Sequence, residues 1–411
     1  MTSRQRVLQA FEFEPSDRIP IDFSGHRSSG LSASIYSGLR KTLGFEPKPV
    51  RIYDPIQQLA VLDDDVLDFF GVDTIELGRA FATEDEHWQA WTLPDGQDCF
   101  MPAWINLERE ENRWIIRSDS GRVIAQMPDG ALFFEQVYYP FYDDEVDLSN
   151  LEKAMSESMW HTVASPPGPL ANGEAGYKLL KKRAAELRKS TDRAIIGLFG
   201  GNLLESGQML FRNDQFLMNL ALDPDGVHNF LDRLVEKHLK DLERFLGAVG
   251  DSIDIILFGD DLGMQSGPQL SPEMYREFFK PRHQLMWRRT KELADVKVML
   301  HCCGGVRELL PDLIDAGMDT INPVQTTARG MDPEGLKKDF GKEIVFWGGG
   351  CDTQHILPNG SPKEVYQHTT RQLEIMSRGG GFVFQQIHNI LPGVSPENII
   401  AMFSAVKDYN P

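Results

Sequence analysis

The stretch KVMLHCCGGVRELLPDLIDAGMDTIN, residues 297–322, contains one complete strand–helix–strand unit. Lys297–His301 is a short apolar run that predicts a buried strand, and Thr320–Asn322 predicts the strand that follows. Between them, apolar residues recur at helical spacing at positions 306, 309, 310, 313 and 314. Two strands joined through a helix usually lie parallel, so this segment predicts an α/β fold with a parallel sheet.

The same alternation of short apolar runs and amphipathic helices recurs along most of the chain. Three predicted helices begin with Ser-Pro and an acidic residue, at Ser271, Ser361 and Ser395, a pattern that caps and starts a helix. Eight such units predict closure of the sheet into a (β/α)8 TIM barrel. The predicted strands are Ile19–Phe23, Thr74–Leu77, Ala194–Phe199, Asp254–Phe258, Lys297–His301, Thr320–Asn322, Ile344–Trp347 and Phe382–Gln385.

One segment, Glu84–Phe141, interrupts this alternation. It holds six strand-like runs separated by turn sequences such as Pro94-Asp95-Gly96 and Pro128-Asp129-Gly130. Runs of this kind predict antiparallel β-hairpins, inserted here after the second predicted strand. We therefore expect a single barrel domain over residues 1–411, with an insertion at 84–141.

Composition excludes several classes of partner. The formal net charge of −19 argues against a nucleic-acid partner, because phosphate binding needs a basic surface. The chain has no run of about 18 apolar residues, which argues against a membrane span. The opening residues hold no apolar stretch of signal-peptide length, which favours a cytoplasmic protein. Its four cysteines are too few for a disulfide scaffold, so their clustering favours metal binding or thiol chemistry.

His301 and Cys303 are two residues apart at the end of a predicted strand, so their side chains are expected on the same side, with Cys302 pointing elsewhere. Cys351 follows the strand Ile344–Trp347 and a triple-glycine turn, which brings it to the same rim of a barrel. Catalytic zinc sites use three imidazole, thiolate or carboxylate ligands and leave one position open. The pattern predicts zinc bound by these three residues. The alternative is that the cysteines are buried and inert.

Adjacent carboxylates end another predicted strand on this rim. Asp260 or Asp261 is expected to bind substrate, act as general acid or base, or supply a fourth zinc ligand. The alternative is that one of them caps the next helix or turn. We prefer Asp261 for the functional role, although adjacency alone hardly separates the two. Glu205, Asn322 and Gln325 also end or follow predicted strands, and we expect them to line the substrate site.

Several motifs resemble the uroporphyrinogen-decarboxylase superfamily, and more specifically its methyltransferase branch, whose enzymes pass methyl groups between corrinoid proteins and thiols. That branch carries a His-x-Cys…Cys zinc motif, which His301, Cys303 and Cys351 match. The resemblance runs from the first helix to the last but is vague across residues 84–141. The motifs are Arg4–Ala10, Asp17–Pro20, Leu300–Gly305, Trp347–Gln354, His388-Asn389-Ile390 and Ser395–Asn398.

The resemblance implies a zinc-dependent methyltransferase that moves a methyl group between a corrinoid (cobalamin) and a thiol or a methylated small molecule. The corrinoid is expected on a partner protein. His388 matches a histidine of the decarboxylases, although Asn389 replaces the glycine that follows it there. We expect His388 to contact the substrate or the corrinoid. Together with Asp260 and Asp261, it forms the predicted set of catalytic residues. The insertion is expected to shape the choice of substrate or the oligomer, such as a homodimer.

Two other functions are compatible with the sequence. A true uroporphyrinogen decarboxylase would share the fold and the C-terminal motifs, but it binds carboxylates with an arginine-rich N-terminal stretch. Here the comparable loop, Ser24–Gly30, has one arginine, and His301, Cys303 and Cys351 would have no task. The second alternative is a non-catalytic corrinoid- or metal-binding protein. A measurement of metal content would distinguish the zinc enzyme from the decarboxylase. Turnover with methylated corrinoid protein would distinguish the enzyme from the non-catalytic binding protein.

Overall fold

Seven parallel strands form a curved sheet at the centre of the computed structural model, which describes residues 1–409. The strands are hydrogen-bonded in the order in which they occur along the chain. The α/β barrel architecture that the sequence predicts is thereby confirmed, with boundaries that differ by a few residues at most. The strands are β1 (Thr74–Glu76), β2 (Ala194–Gly200), β3 (Ile255–Gly259), β4 (Lys297–His301), β5 (Thr320–Asn322), β6 (Val345–Trp347) and β7 (Phe382–Val383).

The barrel is not closed by a continuous ladder, and the predicted strand Ile19–Phe23 is wrong as a strand. A single bridge pairs Ile21 with Phe384, and on the other side the backbone N–H of Asp73 donates to Ile21 at 2.8 Å. Pro20 has no N–H to donate, and the N–H of Ile21 donates instead to the Asp73 carboxylate at 2.9 Å. A side chain therefore replaces the ladder bond that an eighth strand would need.

Twelve helices of seven or more residues surround the sheet. The three Ser-Pro helix starts are confirmed, because the hydroxyls of Ser271, Ser361 and Ser395 each accept a hydrogen bond from the backbone three residues on. The helices are α1 (Ser3–Ala10), α2 (Ala33–Thr42), α3 (Asp64–Phe70), α4 (Gly173–Ser190), α5 (Leu204–Phe211), α6 (Asn213–Leu222), α7 (Pro224–Val249), α8 (Lys280–Leu293), α9 (Leu310–Ala316), α10 (Pro333–Phe340), α11 (Pro362–Met376) and α12 (Pro396–Asp408).

Shorter elements connect these helices and strands. A π-helical turn, Tyr275–Phe279, leads into α8, and a two-residue hairpin pairs Gly263–Met264 with Gly267–Pro268. The short α-helices are Pro140–Asp143, Leu151–Ser156, Gly168–Ala171, Pro272–Met274 and Ile356–Asn359, and the 3-10 turns are Leu77–Ala80, Asp85–His87, Leu148–Asn150 and Met159–Val163.

The segment between β1 and β2 contains six of the eight strands that make up two small sheets. One is an antiparallel meander of Asn106–Glu110, Arg113–Arg117, Val123–Pro128 and Glu135–Gln136. The other pairs Trp88–Thr92 and Asp98–Pro102 with two strands that precede β1, Val50–Asp54 and Leu59–Ala60. The pairing of Val50–Asp54 with Asp98–Pro102 is parallel, which the hairpin pattern did not predict.

Side chains fill the barrel interior, so the sheet encloses a packed core. Alternate residues of the strands, such as Ile196, Leu257 and Met299, point inward and form one cluster with Val7 and Ala10 of α1. Helix α1 thus covers the end of the barrel at which the strands begin. The opposite end, where the strands finish, is left for the loops that carry the polar residues. No helix within residues 1–409 is long and apolar enough to cross a bilayer.

Candidate functional site

Three side chains that could bind a metal ion, called here the metal-binding group, meet at the end of the barrel where the strands finish. His301 is the last residue of β4, Cys303 lies two residues beyond it, and His388 follows β7. Each offers a ligand atom within 4.8 Å of the other two, and Nε2 of His301 lies 3.4 Å from Sγ of Cys303. Tetrahedral zinc, with bonds of about 2.1 Å to nitrogen and 2.3 Å to sulfur, separates such atoms by about 3.6 Å. The donor types and their spacing therefore fit zinc.

Asn322, at the end of β5, determines which nitrogen of His301 can bind a metal. Its amide nitrogen donates to the backbone carbonyl of Trp347 at 3.1 Å and to Oε1 of Gln385 at 2.8 Å. The amide oxygen must therefore face His301, whose Nδ1 lies 2.9 Å away and has to be the protonated nitrogen. Nε2 keeps its lone pair and faces Cys303, the arrangement that metal-binding histidines use.

Burial favours the neutral form of every group in this cluster. It lowers the pKa of His388 to about 3, with help from His301 and His26, and it also lowers the pKa of His301. Both imidazoles are thus neutral at pH 7, as metal ligands must be. Burial and the nearby Asp261 carboxylate raise the pKa of the Cys303 thiol well above its usual range. A metal ion would have to displace that proton on binding.

The structure does not bring the Cys351 thiol into this group, contrary to the sequence prediction. Cys351 is fully buried, its sulfur lies near the hydroxyl of Thr369 on α11, and burial raises its pKa to about 12. Gly348 and Gly349 adopt φ angles of 101° and 81°, in the left-handed region. These two residues interrupt the regular alternation of side chains along the strand. The backbone of Cys351 therefore reaches the rim of the barrel, but its side chain does not point to the site.

The adjacent carboxylates Asp260 and Asp261 have different surroundings. Asp260 is fully buried and accepts hydrogen bonds from the backbone N–H groups of Leu204 and Glu205, at 3.1 and 3.0 Å. It holds the start of α5, which is the capping role given above as the alternative for one of the two aspartates. Asp261 is partly exposed, accepts from the N–H of Cys303 at 2.7 Å and lies 3.8 Å from Nε2 of His301. Only the second carboxylate faces the metal-binding group.

The three residues predicted to line the substrate site serve mainly to position others. Asn322 is fully buried under His301 and has no exposed surface to offer a substrate. Gln325 accepts from the N–H of Gly304 at 2.8 Å, which braces the turn after Cys303. Glu205 accepts from the backbone N–H of Asp261 at 3.1 Å, and burial together with the two aspartates raises its pKa well above the usual range.

Cys302 lies on a different side from Cys303, as the strand alternation indicates. Its buried sulfur accepts from the backbone N–H of Leu262 at 3.2 Å, whereas the sulfur of Cys303 faces His301. This thiol therefore packs behind the site.

A buried polar network beneath His301 was missed in the sequence. Ser28 Oγ lies 3.4 Å from Nε2 of His301, and Gln385 donates to the Ser28 carbonyl at 2.9 Å. His26 Nε2 lies 3.1 Å from both Gln385 Oε1 and the Asp22 carboxylate. The signal in the sequence is the polar run Ser24–Ser29, which follows the first predicted strand as the other site residues follow theirs.

Comparisons with known proteins show the family to which the chain belongs. Residues 169–409 match the uroporphyrinogen decarboxylase (URO-D) family. The chain is 29% identical to the methylated-thiol–coenzyme M methyltransferase of Methanosarcina mazei over 151 residues, 36% of each chain. It is 24% identical to the uroporphyrinogen decarboxylase of Methylococcus capsulatus over 261 residues, 61% of this chain and 67% of the other. The alignment thus spans only about a third of the methyltransferase.

A solved structure shares the fold over the whole chain. A methyltransferase from Methanosarcina mazei superposes with a TM-score of 0.60 over 99% of both chains, at 19% sequence identity. The family match, at 169–409, covers more than half of the 411 residues and includes the three metal-binding side chains. The chain therefore belongs to the uroporphyrinogen decarboxylase superfamily and resembles its methyltransferase branch.

Proposed function

We propose that this protein is a zinc-dependent methyltransferase that moves a methyl group between a corrinoid carrier and a thiol or a methylated small molecule. The observation that carries the proposal is the grouping of His301, Cys303 and His388 at the open end of the barrel, within 4.8 Å of one another. A decarboxylase that needs no metal would have no use for this group. The methyltransferase among the relatives supports the same reaction class.

The residues of the site have distinct tasks in this proposal. His301 and Cys303 would bind zinc, and Asn322 would orient the first of them. When bound, zinc lowers the pKa of an incoming thiol and so supplies a nucleophile at neutral pH. Asp261 is the exposed carboxylate nearest to this position, 3.8 Å from His301, and is placed to accept the proton that the substrate thiol loses.

Glu205 supports Asp261 in that task. Its carboxylate accepts from the backbone N–H of Asp261 at 3.1 Å and from the Asn202 side chain at 2.6 Å, so the loop that carries Asp261 is held in position. Burial and the two aspartates raise the pKa of Glu205 well above its usual range, which favours the neutral form of this one carboxyl group. The carboxylates thereby avoid accumulating negative charge beside the thiol.

The identity of the third zinc ligand differs between the family resemblance and the side-chain positions. The family resemblance favours Cys351, whereas the observed side-chain positions favour His388. We propose His388, and zinc content measured in single variants separates the two. His388→Ala should lose most bound zinc, and Cys351→Ser should retain it. The reverse result would restore the ligand set of the resemblance and show that the turn at Gly348–Gly350 rearranges on binding.

Two measurements on purified protein test the function itself. The protein should contain about one zinc per chain and should methylate a thiol from methylcobalamin, or from a methylated corrinoid protein. Cys303→Ser should lose zinc and turnover together, while Cys302→Ser, the matched control on the neighbouring residue, should keep both. Metal-free protein that is fully active on a porphyrinogen would identify a decarboxylase instead. Zinc binding without turnover on any methyl donor would identify a carrier.

The cellular location, the partner protein and the oligomeric state are also part of the proposal. The four cysteines are all free, and three of them lie at the ends of β4 and β6. Thiols that bind zinc must remain reduced, so we propose that the protein works in the cytoplasm. We propose further that it contacts a corrinoid protein at the open end of the barrel and that it forms a homodimer. Light scattering of the purified protein tests the dimer.

A further inference from the structure

A cavity opens at the same end of the barrel, beside the metal-binding group. Its volume is about 350 Å³, within the range of roughly 300–1,000 Å³ typical of small-molecule sites. Glu76 at the end of β1 and Arg27 from the loop after the bridge lie at its base. Trp88 and Trp104 of the segment between β1 and β2 form walls, together with Tyr53. The cavity is thus enclosed partly by the barrel and partly by the small sheets.

Three polar groups of this cavity lack hydrogen-bond partners among residues 1–409. Glu76 is 6% exposed, and its carboxylate forms neither a hydrogen bond nor an ion pair with any of residues 1–409. The buried Nε of Arg27 and Nε1 of Trp88 have no hydrogen-bond partner within the part of the chain that the structure describes. Buried polar groups are normally paired, so a set of unpaired ones around one cavity indicates a ligand.

Arg79 forms no ion pair with any of residues 1–409, although the Glu76 carboxylate of the same cavity lies close enough to attract it. Its guanidinium donates to the backbone carbonyl of Leu62 and has no carboxylate within 4 Å among the described residues. Arg51, at the mouth, pairs with the exposed Asp85 at 2.9 Å and lies over the ring of Trp88. The nearest carboxylate to Arg27 is that of Asp54, at 3.8 Å. An anionic group in the cavity could therefore form an ion pair with Arg79.

We propose that this cavity binds a single-ring aromatic carboxylate that carries a hydroxyl or amino group. The carboxylate would pair with Arg79 and Arg27, the ring would lie against the tryptophans, and the hydroxyl or amino group would donate to Glu76. These contacts would give hydrogen-bond partners to the Glu76 carboxylate and to Nε of Arg27, and an ion-pair partner to Arg79. The volume suits one ring with its substituents and is far too small for four pyrrole rings.

The cavity is adjacent to the metal-binding group through one short loop. Arg27 lines the cavity, and Ser28, the next residue, lies 3.4 Å from Nε2 of His301. A ring bound here would therefore have one edge near the site of methyl transfer. The binding itself is independent of the chemistry, whereas the use of this ligand as methyl donor or acceptor rests on the proposed function.

Ligand binding to the full-length protein tests the inference, with 4-hydroxybenzoate as the probe. Four of the seven tryptophans lie within residues 84–141, including Trp88 and Trp104 of the cavity walls, so quenching of fluorescence should report binding, and calorimetry should confirm it. The neutral 4-hydroxybenzamide should bind about ten- to a hundredfold more weakly, the loss expected for a charged hydrogen bond. Benzoate, which lacks the hydroxyl, should also bind more weakly, and Glu76→Gln should reduce that difference.

Arg79→Met keeps an apolar stem and removes the charge, and it should weaken 4-hydroxybenzoate binding by about ten- to a hundredfold. Arg109→Met is the matched control, because Arg109 is exposed on the same segment and pairs with Asp129 outside the cavity. Circular dichroism should confirm that both variants are folded. An absence of saturable binding to the wild type, or equal binding by wild type and Arg79→Met, would overturn the inference.

The probe-binding experiment can fail or succeed independently of the experiments that test the proposed function. Zinc content and methyl transfer to thiols depend on His301 and Cys303, whereas binding of the probe depends on Arg79 and Glu76. Probe binding without methyl transfer would leave the cavity assigned and the proposed reaction wrong. Methyl transfer without probe binding would overturn the cavity's assignment and leave the reaction standing.

Discussion

At the scale of single residues, Asn322 is expected to affect zinc binding strongly, although it is not itself a proposed zinc ligand. It accepts from Nδ1 of His301 at 2.9 Å, and its own amide nitrogen is held by Trp347 and Gln385. Asn322→Ala should weaken zinc binding by about ten- to a hundredfold, because His301 loses the bond that selects its tautomer. Competition with a chelator measures this affinity.

The control for that measurement is Asn106→Ala, which removes an exposed asparagine of the meander sheet. It should leave the zinc affinity unchanged. If Asn322→Ala binds zinc as tightly as this control, the orientation of His301 is determined by something other than the amide, and the tautomer argument fails.

A second prediction at this scale concerns the adjacent aspartates. Asp260→Ala leaves two buried backbone N–H groups at the start of α5 without an acceptor, together with the imidazole of His283, 3.3 Å away. It should lower the free energy of unfolding by about 3 kcal/mol or more. Asp261→Asn retains an oxygen that can accept from Cys303, so it should cost less than about 1 kcal/mol while slowing methyl transfer.

Urea unfolding of the two variants measures the first effect, and turnover of folded protein measures the second. Each variant is the control for the other, because the substituted residues are neighbours on one loop. A stable Asp260→Ala protein, or an Asp261→Asn protein with wild-type turnover, would show that the roles have been assigned the wrong way round.

At the scale of elements, α7 packs against the barrel through a buried histidine that makes stability depend on pH. His238 is 7% exposed, and Nε2 lies 3.1 Å from the backbone carbonyl of Asn202, to which it donates. Burial lowers its pKa to about 4, whereas in the unfolded chain it is about 6.5. Between these values the unfolded chain binds a proton that the folded chain does not, so the free energy of unfolding falls as the pH falls.

The expected contribution of this one group is a loss of about 2 kcal/mol between pH 7 and pH 5. His238→Gln keeps an N–H that can reach the Asn202 carbonyl and removes the titration. Urea unfolding at pH 7 and pH 5 should therefore show a smaller loss in the variant than in the wild type. Equal losses would mean that His238 takes up its proton without unfolding of the helix contact.

At the scale of the whole molecule, we propose that the barrel and the segment at 84–141 form one cooperative domain. One continuous cluster of buried apolar residues includes Trp91, Met101 and Ile116 of that segment as well as Phe230 and Phe403 of the barrel. A shared core of this kind should unfold in a single transition, because neither part buries its apolar surface without the other.

Two spectroscopic probes test this proposal in the same thermal experiment. Four of the seven tryptophans, Trp88, Trp91, Trp104 and Trp114, lie in the segment, so fluorescence reports mainly on it. Most helical residues lie in the barrel, so circular dichroism at the helix band reports mainly on that part. The two curves should have one midpoint, and well-separated midpoints would show two independently folding units.

The sequence by itself determined the features that depend on local periodicity and on neighbouring residues. The βαβ unit of residues 297–322, the Ser-Pro helix starts and the placement of His301 beside Cys303 all follow from spacings of one to four residues. Strand geometry alone separates Cys302 from Cys303, because successive side chains alternate. These features needed no knowledge of distant parts of the chain.

Only the tertiary structure decided which distant side chains join that pair. Two glycines with positive φ turn Cys351 toward α11, whereas His388, far along the chain and beyond another strand, approaches His301. Likewise, Asp260 faces the start of α5 and Asp261 faces the site, although both end the same strand. The physical reason is that turn backbone, unlike strand or helix, has no fixed period that relates sequence position to side-chain direction.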